Sequence, residues 1–89
     1  MFRIWGKIFK DNHLLQDMVY ENSDPDLNRT RKVYAGLHEF CMAFDLQEPI
    51  WLEKNIAEFK RSDKTRFYQD NFIEQIEFDY LEIHVIEED

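Results

Sequence analysis

Bases and aromatic rings alternate in the segment from Phe59 to Tyr68. Its four bases are Lys60, Arg61, Lys64 and Arg66. Single-stranded nucleic acids bind to such mixtures, because cationic side chains contact the phosphates and flat aromatic rings stack on the nucleobases. The segment therefore predicts a nucleic-acid contact. The alternative is that Phe59 and Phe67 belong to the core, and that the bases pair with acids of the C-terminal region.

Acidic residues are concentrated near the C-terminus. The last 20 residues contain eight acids and no Lys or Arg, so the net charge of −8 comes entirely from this region. Such a charge disfavours nucleic-acid and anionic-membrane partners in general, although local basic patches remain. Clustered carboxylates are also typical ligands of hard cations such as Mg²⁺. The candidates are Asp70, Glu74, Glu77, Asp79, Glu82 and His84.

No motif supports a catalytic, cofactor or metal site. The chain has neither an EF-hand loop nor a His-Glu-x-x-His helix, and its two glycines form no phosphate loop. The three histidines are far apart, and the single cysteine, Cys41, lies on an apolar stripe where a thiol behaves as a small apolar group. We therefore predict no cofactor and no metal, and we favour a non-catalytic protein. One cysteine also allows no internal disulfide, which favours a reducing cytoplasm.

The aromatic content favours a protein interface. Eight Phe, four Tyr and two Trp are many for a chain of 89 residues to bury, and exposed aromatics are enriched at interfaces. The candidate interface residues are Trp5, Trp51, Phe67 and Tyr68. A small sheet also leaves edge strands that can pair with another chain. We predict a regulatory or adaptor protein that binds itself, as a homodimer, or another protein. The alternative is a well-packed monomer.

The longest periodic stretch runs from Ser23 to Leu46 and predicts an amphipathic helix. Apolar residues recur there at spacings of three and four, which places them on one side of a helix. Asp24 followed by Pro25 is typical of an N-cap and a first helical position. Ser23 with Asp26 three residues later is instead typical of a capping box, which would start the helix one residue earlier. Gly36 lowers helix stability by about 1 kcal/mol relative to alanine, and a close approach by another backbone would explain it.

The other elements follow from alternation and turn residues. We predict strands at Phe2–Lys10 and Leu14–Glu21 joined by a polar turn, a helix at Leu52–Arg61 and a strand at Leu81–Ile86. Thr65–Tyr68 is either a strand or irregular. The apolar alternation changes phase near Tyr80, which indicates either a bulge or, as we prefer, a helical turn over Phe72–Phe78 followed by the strand.

These elements predict one α+β domain over residues 1–89, in the order β-β-α-α-β. Two helices would pack on one face of a small antiparallel sheet made by the N-terminal hairpin and the C-terminal strand. The charged residues of the first strand are all bases and those of the last are all acids. We expect these two strands to be neighbours, because opposite charges across strands stabilise a sheet.

Two phrases resemble those of a family of small proteins from anaerobic Gram-positive bacteria. They are Arg3-Ile4-Trp5-Gly6-Lys7 and Phe78-Asp79-Tyr80-Leu81-Glu82-Ile83. The resemblance extends over most of the chain and implies a bacterial cytoplasmic protein. It implies no activity, no cofactor and no site residue.

Overall fold

An antiparallel sheet carries two helices on one of its faces. The structure, a computed structural model, describes residues 1–88. Its elements in chain order are β1 (Phe2–Lys10), β2 (His13–Asn22), α1 (Arg29–Ala43), α2 (Glu53–Ser62), β3 (Lys64–Phe67) and β4 (Tyr80–Glu87), with one turn of 3-10 helix at Gln69–Asn71. The α+β class and the order of the predicted elements are confirmed. The undecided stretch Thr65–Tyr68 mostly forms a fourth strand, β3.

The strands lie in the order β2-β1-β4-β3 and every neighbouring pair is antiparallel. The C-terminal strand therefore pairs with the first strand, as the charges of the two strands predict. Lys7 Nζ lies 2.8 Å from Glu82 Oε2, and Arg3 Nε lies 3.3 Å from Glu87 Oε1. The β1–β2 hairpin closes through Asp11 and Asn12, which both have positive φ.

The core lies between one face of the sheet and the helices. Alternate residues of the two central strands point towards the helices and are buried together with the inner side of α1; they include Phe2, Ile4, Ile8, Leu81, Ile83, Val33, Leu37 and Phe40. Two glycines allow the close approach of α1. A Cβ at Gly36 would lie 2.7 Å from Ile4 Cγ2, and one at Gly6 would lie 2.5 Å from Phe40 Cδ2. Neither position has room for a side chain.

We expect Gly6→Ala to lower the free energy of unfolding by about 2 kcal/mol, a typical cost of overpacking a core. The Phe40 ring that the new methyl group would meet is fully buried, so it cannot move into solvent. Urea denaturation followed by circular dichroism measures the loss. Combined with Phe40→Leu, the change should cost less than the sum of the two single changes, because the shorter side chain leaves space. Additive losses would contradict the clash.

The predicted start of the long helix at Asp24 is wrong. The first helical residue is Arg29, and Asn28 is the N-cap: its Oδ1 accepts a hydrogen bond of 2.9 Å from the backbone N–H of Arg31. The side chain of Asp24 instead closes a turn: its Oδ1 accepts a hydrogen bond of 2.9 Å from the backbone N–H of Asp26. Asp and Asn are about equally good N-caps, so local preference alone does not favour Asp24 over Asn28, and the helix begins after Asn28 in the tertiary structure.

The helical turn predicted over Phe72–Phe78 is also wrong, since residues 72–79 contain neither helix nor strand. The side chain of Gln69 forms hydrogen bonds with backbone groups of this segment that in a helix would have bonded to other backbone groups. Its Nε2 donates to the Glu74 carbonyl and its Oε1 accepts the Ile76 N–H, both at 2.9 Å. Phe72 and Phe78 meet edge to face, with ring centroids 6.0 Å apart. The predicted change of phase near Tyr80 is thus a loop that leads into β4.

Candidate interaction surfaces

One face of the sheet is not covered by α1 or α2, and we call it the open face. Its residues alternate along each strand with those of the core. The open face carries Arg3, Trp5, Lys7 and Phe9 from β1, Asp17, Val19 and Glu21 from β2, Lys64 and Arg66 from β3, and Tyr80, Glu82 and His84 from β4. Charged and aromatic side chains are therefore mixed on one continuous surface.

Three charged residues form a partly buried network at the centre of the open face. Glu82 accepts from Lys7 Nζ at 2.8 Å and from Arg66 Nε at 2.9 Å. The Lys7 and Glu82 side chains are only 12% and 8% exposed. Burial alone would raise the pKa of Glu82, but the hydrogen bonds and charges of Lys7 and Arg66 together outweigh it and lower that pKa. The same contact with Glu82 raises the pKa of Arg66.

Aromatic rings surround this network. Phe9 and Tyr68 stand on either side of Tyr80, with ring centroids 5.2 and 5.4 Å from the Tyr80 ring. The Arg66 guanidinium lies 4.5 Å above the Tyr80 ring, a cation–π contact. Trp5 donates from Nε1 to Asp17 Oδ2 at 2.8 Å. These contacts hold the rings of the open face in place before any partner binds.

The two edges of the sheet differ in length and in cover. β3 has four residues, and Asn55 of α2 is bonded to it: Nδ2 donates to Thr65 Oγ1 and to the Arg66 carbonyl, both at 2.9 Å. β2 has ten residues. No strand or helix within residues 1–88 pairs with the outer side of β2.

β2 also exposes large apolar side chains along this free edge. Leu14, Leu15 and Val19 are 47%, 53% and 43% exposed. Natural edge strands are usually protected by lysine, proline or short length, and β2 contains no Lys, Arg or Pro. A bulge at Leu15, where the pairing shifts between Ile8 and Phe9, is its only local distortion in the described structure. The edge is therefore suited to pairing with another strand.

A cavity of about 320 Å³, lined by both apolar and polar side chains, adjoins the turn end of β2. Its walls come from the strands, from the end of α1 and from the loop of residues 72–79; the apolar ones are Ile8, Leu15, Phe44, Leu46, Phe72, Ile76 and Phe78. Its charged lining residues are Asp45, Glu74 and Glu77. We call this space the acidic-rimmed cavity. Its volume falls within the range of known ligand pockets.

Three of the four predicted nucleic-acid contacts meet at a second cavity. Arg61, Lys64 and Arg66 line a space of about 240 Å³ beside β3, together with Tyr68 and the carboxylates of Glu58 and Glu82. Arg61 and Lys64 make no ion pair or hydrogen bond through their side chains within residues 1–88, whereas Arg66 is paired with Glu82. Lys60 points elsewhere and lines a groove between the helices with Arg29 and Trp51. The alternative that the bases pair with C-terminal acids thus holds for Arg66.

The four predicted interface residues lie in three places. Trp5 and Tyr68 are on or beside the open face. Trp51 is half-buried between the helices, where its ring meets those of Phe59 and Phe67 edge to face at 5.5 and 5.1 Å. Phe67 is fully buried, which removes it from the predicted interface and assigns it to the core.

The acid–base and metal candidates do not converge within the described residues. No group of three or more His, Cys, Asp or Glu side chains there is placed to hold a metal ion. Cys41 is buried. Its burial, and to a smaller extent the negative charge of Glu48, raises the pKa of its thiol to about 12. Such a thiol stays protonated at neutral pH and is a poor nucleophile.

Comparison with family models, with curated proteins and with solved structures finds no match to this chain. Within residues 1–88 no helix is both long and apolar enough to span a bilayer. Of the surfaces on this molecule, the edge of β2 and the acidic-rimmed cavity are not apparent from motifs. The absence of Lys, Arg and Pro from β2 is the sequence signal for its unprotected edge; the cavity is formed by residues distant in sequence.

Proposed function

We propose that this protein is a non-catalytic interaction module that binds an extended segment of another protein as an additional strand on β2. The observation that carries the proposal is the free outer edge of this ten-residue strand. Such an edge presents a row of backbone N–H and C=O groups, which pair with any chain of extended conformation. Side chains of the added strand would then reach both faces of the sheet.

The charge of β2 supports a different protein as the partner, in preference to a second copy. Asp17 and Glu21 are the charged carboxylates of this strand, which has no Lys or Arg. Two copies joined along β2 would bring these acids together and unite two chains that each carry −8. Like charges across strands are destabilising. The proposal therefore includes a monomer in the absence of partner, in the reducing cytoplasm that the single cysteine favours.

Site-specific photo-crosslinking in cells of the source organism tests the proposal. A photoreactive phenylalanine analogue at Val19, on the free edge, should give a discrete protein adduct that mass spectrometry identifies. The same analogue at Met42, which is exposed on α1 away from the edge, should not give that adduct. In a further variant the analogue is placed at Leu14 and Val19 is replaced by lysine. Loss of the adduct in this variant, compared with the analogue at Leu14 alone, would assign the adduct to strand pairing. Equal adducts at Val19 and Met42, or none at Val19, would refute the proposal.

The second candidate function is binding of single-stranded nucleic acid. One observation favours it: Arg61, Lys64 and Arg66 converge with Tyr68 around one cavity, which combines phosphate contacts with a stacking ring. Fluorescence anisotropy with a labelled oligonucleotide at low salt tests it. Binding should weaken as salt rises and should fall in the double variant Arg61→Ala with Lys64→Ala. No binding at low salt excludes this candidate. A crosslinked adduct that nuclease removes would favour it over strand addition.

A further inference from the structure

We propose that the segment received by β2 is basic and carries a large apolar residue that fills the acidic-rimmed cavity. This inference rests on the proposed strand addition and names the class of partner. It adds a second set of contacts to the first: the backbone of the partner segment pairs with the edge of β2, and one of its side chains enters the cavity.

The position of the cavity supports a shared ligand. Leu15 and Gln16 belong both to β2 and to the wall of the cavity. Neighbouring strands lie about 4.8 Å apart, so a side chain of an added strand on the helix-facing side starts one strand spacing from this wall. A methionine or phenylalanine side chain is long enough to cross that distance.

The bulge at Leu15 places a residue of the edge strand in the wall of the cavity. Ile8 pairs with Gln16 and Phe9 pairs with Leu14, which leaves Leu15 as the extra residue. Bulges redirect side chains and interrupt pairing near functional sites. Leu15 here lines the cavity yet is 53% exposed. An apolar anchor from the partner would cover a leucine side chain that the fold leaves half in water.

The cavity is formed before binding. The Gln69 amide holds the loop at both the Glu74 carbonyl and the Ile76 N–H. The walls include core-packed rings, since Phe72 and Phe78 meet edge to face. A partner therefore does not have to order the loop, and preformed sites bind more tightly for the same contacts.

The charge around the cavity selects a cationic partner. Its charged lining residues are Asp45, Glu74 and Glu77, with no Lys or Arg among those described. These three carboxylates form no ion pair within residues 1–88. Lysine or arginine residues flanking the anchor would supply their counter-charges. A second copy of this chain or a nucleic acid would bring further negative charge to the same rim.

Three labelled peptides of about ten residues test this inference by fluorescence anisotropy. The first alternates Lys with apolar residues around a central Phe. The second has Glu in place of every Lys, and the third has Ala in place of the Phe. We expect the first to bind, and the other two to bind at least ~10-fold more weakly, which corresponds to about 1.4 kcal/mol. Its affinity should also fall as salt rises.

Two charge-matched variants separate the rim from general electrostatics. Glu74→Lys with Glu77→Lys should weaken binding of the first peptide by at least ~10-fold. Asp26→Lys with Glu53→Lys makes the same change in net charge at exposed acids outside the cavity, and should weaken binding of this peptide by less than about 3-fold. Equal effects of the two double variants would overturn the proposed rim.

The outcomes distinguish this inference from the proposed function. If no peptide binds while the Val19 crosslink persists, strand addition stands and the basic, anchored partner is wrong. If the first peptide binds equally well to Val19→Lys and to the unaltered protein, the cavity is a site but strand addition is wrong. Self-association of the unaltered protein in sedimentation would overturn the inference in favour of a second copy of this chain as the occupant. Competition by an oligonucleotide for the same cavity would overturn it in favour of a nucleic acid.

Discussion

Replacing Asn55 by leucine is expected to lower the free energy of unfolding by about 3–4 kcal/mol, the largest effect of any single change considered. Asn55 is fully buried and makes four hydrogen bonds. Leucine has a similar volume but no polar atom. Each buried group left without a partner costs about 1–3 kcal/mol, and small domains are stable by only about 5–15 kcal/mol.

The partners of Asn55 explain why the loss is concentrated at one residue. Its Oδ1 accepts from the Leu52 N–H and from Asn71 Nδ2, at 3.0 and 2.7 Å. Its Nδ2 donates to Thr65 and to the Arg66 carbonyl. One side chain thus joins the start of α2, the 3-10 turn and strand β3, the strand that carries Arg66 to the open face.

Urea denaturation monitored by circular dichroism measures this prediction. Ala57→Leu, at an exposed position of the same helix, is the control and should change stability by less than about 0.5 kcal/mol. Asn55→Asp keeps an oxygen that can accept both hydrogen bonds but loses the Nδ2 donor, and it should also destabilise strongly. A loss below about 1 kcal/mol for Asn55→Leu would show that water or other groups replace these bonds.

Glu82→Gln is expected to lower the free energy of unfolding by about 2–3 kcal/mol at neutral pH. The change keeps the shape of the side chain and removes its charge. Lys7, only 12% exposed at its side chain, would then lack an anionic partner, and breaking a buried pair from one side is costly. Glu87→Gln is the control, because Glu87 is 47% exposed in its pair with Arg3 and such pairs contribute about 0–1 kcal/mol.

The pH dependence of this effect follows from the lowered pKa of Glu82. A carboxylate whose pKa is lower in the folded state stabilises the protein above its unfolded pKa, and this stabilisation is lost as pH falls towards the folded value. The stability difference between the unaltered protein and Glu82→Gln should therefore be constant above pH 4.5, the ordinary value, and shrink below it. Urea titrations at neutral pH and on both sides of that value measure it. A difference that stays constant at the lowest pH would contradict the lowered pKa.

These two residues also connect stability to the proposed partner surfaces. Glu82 fixes Lys7 and Arg66 at the centre of the open face, and Asn55 bonds α2 to β3. Both therefore stabilise the half of the sheet away from β2. Within residues 1–88 the outer edge of β2 pairs with no strand or helix, and this is the edge to which the proposed partner strand would add.

The sequence by itself determined the elements that depend on local pattern. β1 follows from alternation, α2 from a spacing of three and four, and the hairpin from Asp11-Asn12, which tolerate positive φ. It also predicted that β4 lies beside β1, because the charged residues of the first strand are all bases and those of the last strand are all acids. Each of these signals involves neighbouring residues or one pair of strands, so it can be read from the sequence without the tertiary structure.

Only the tertiary structure decided the rest, because the deciding contacts join distant residues. Gln69 ends the helical pattern of residues 72–78 by bonding their backbone with its side chain. Phe67 is in the core, whereas Tyr68, one residue later, is not, since neighbouring residues of an extended chain point to opposite sides. The free edge of β2 arises because β4 occupies the other side of β1 and α2 covers β3. No local pattern in β2 specifies which of its neighbours is missing.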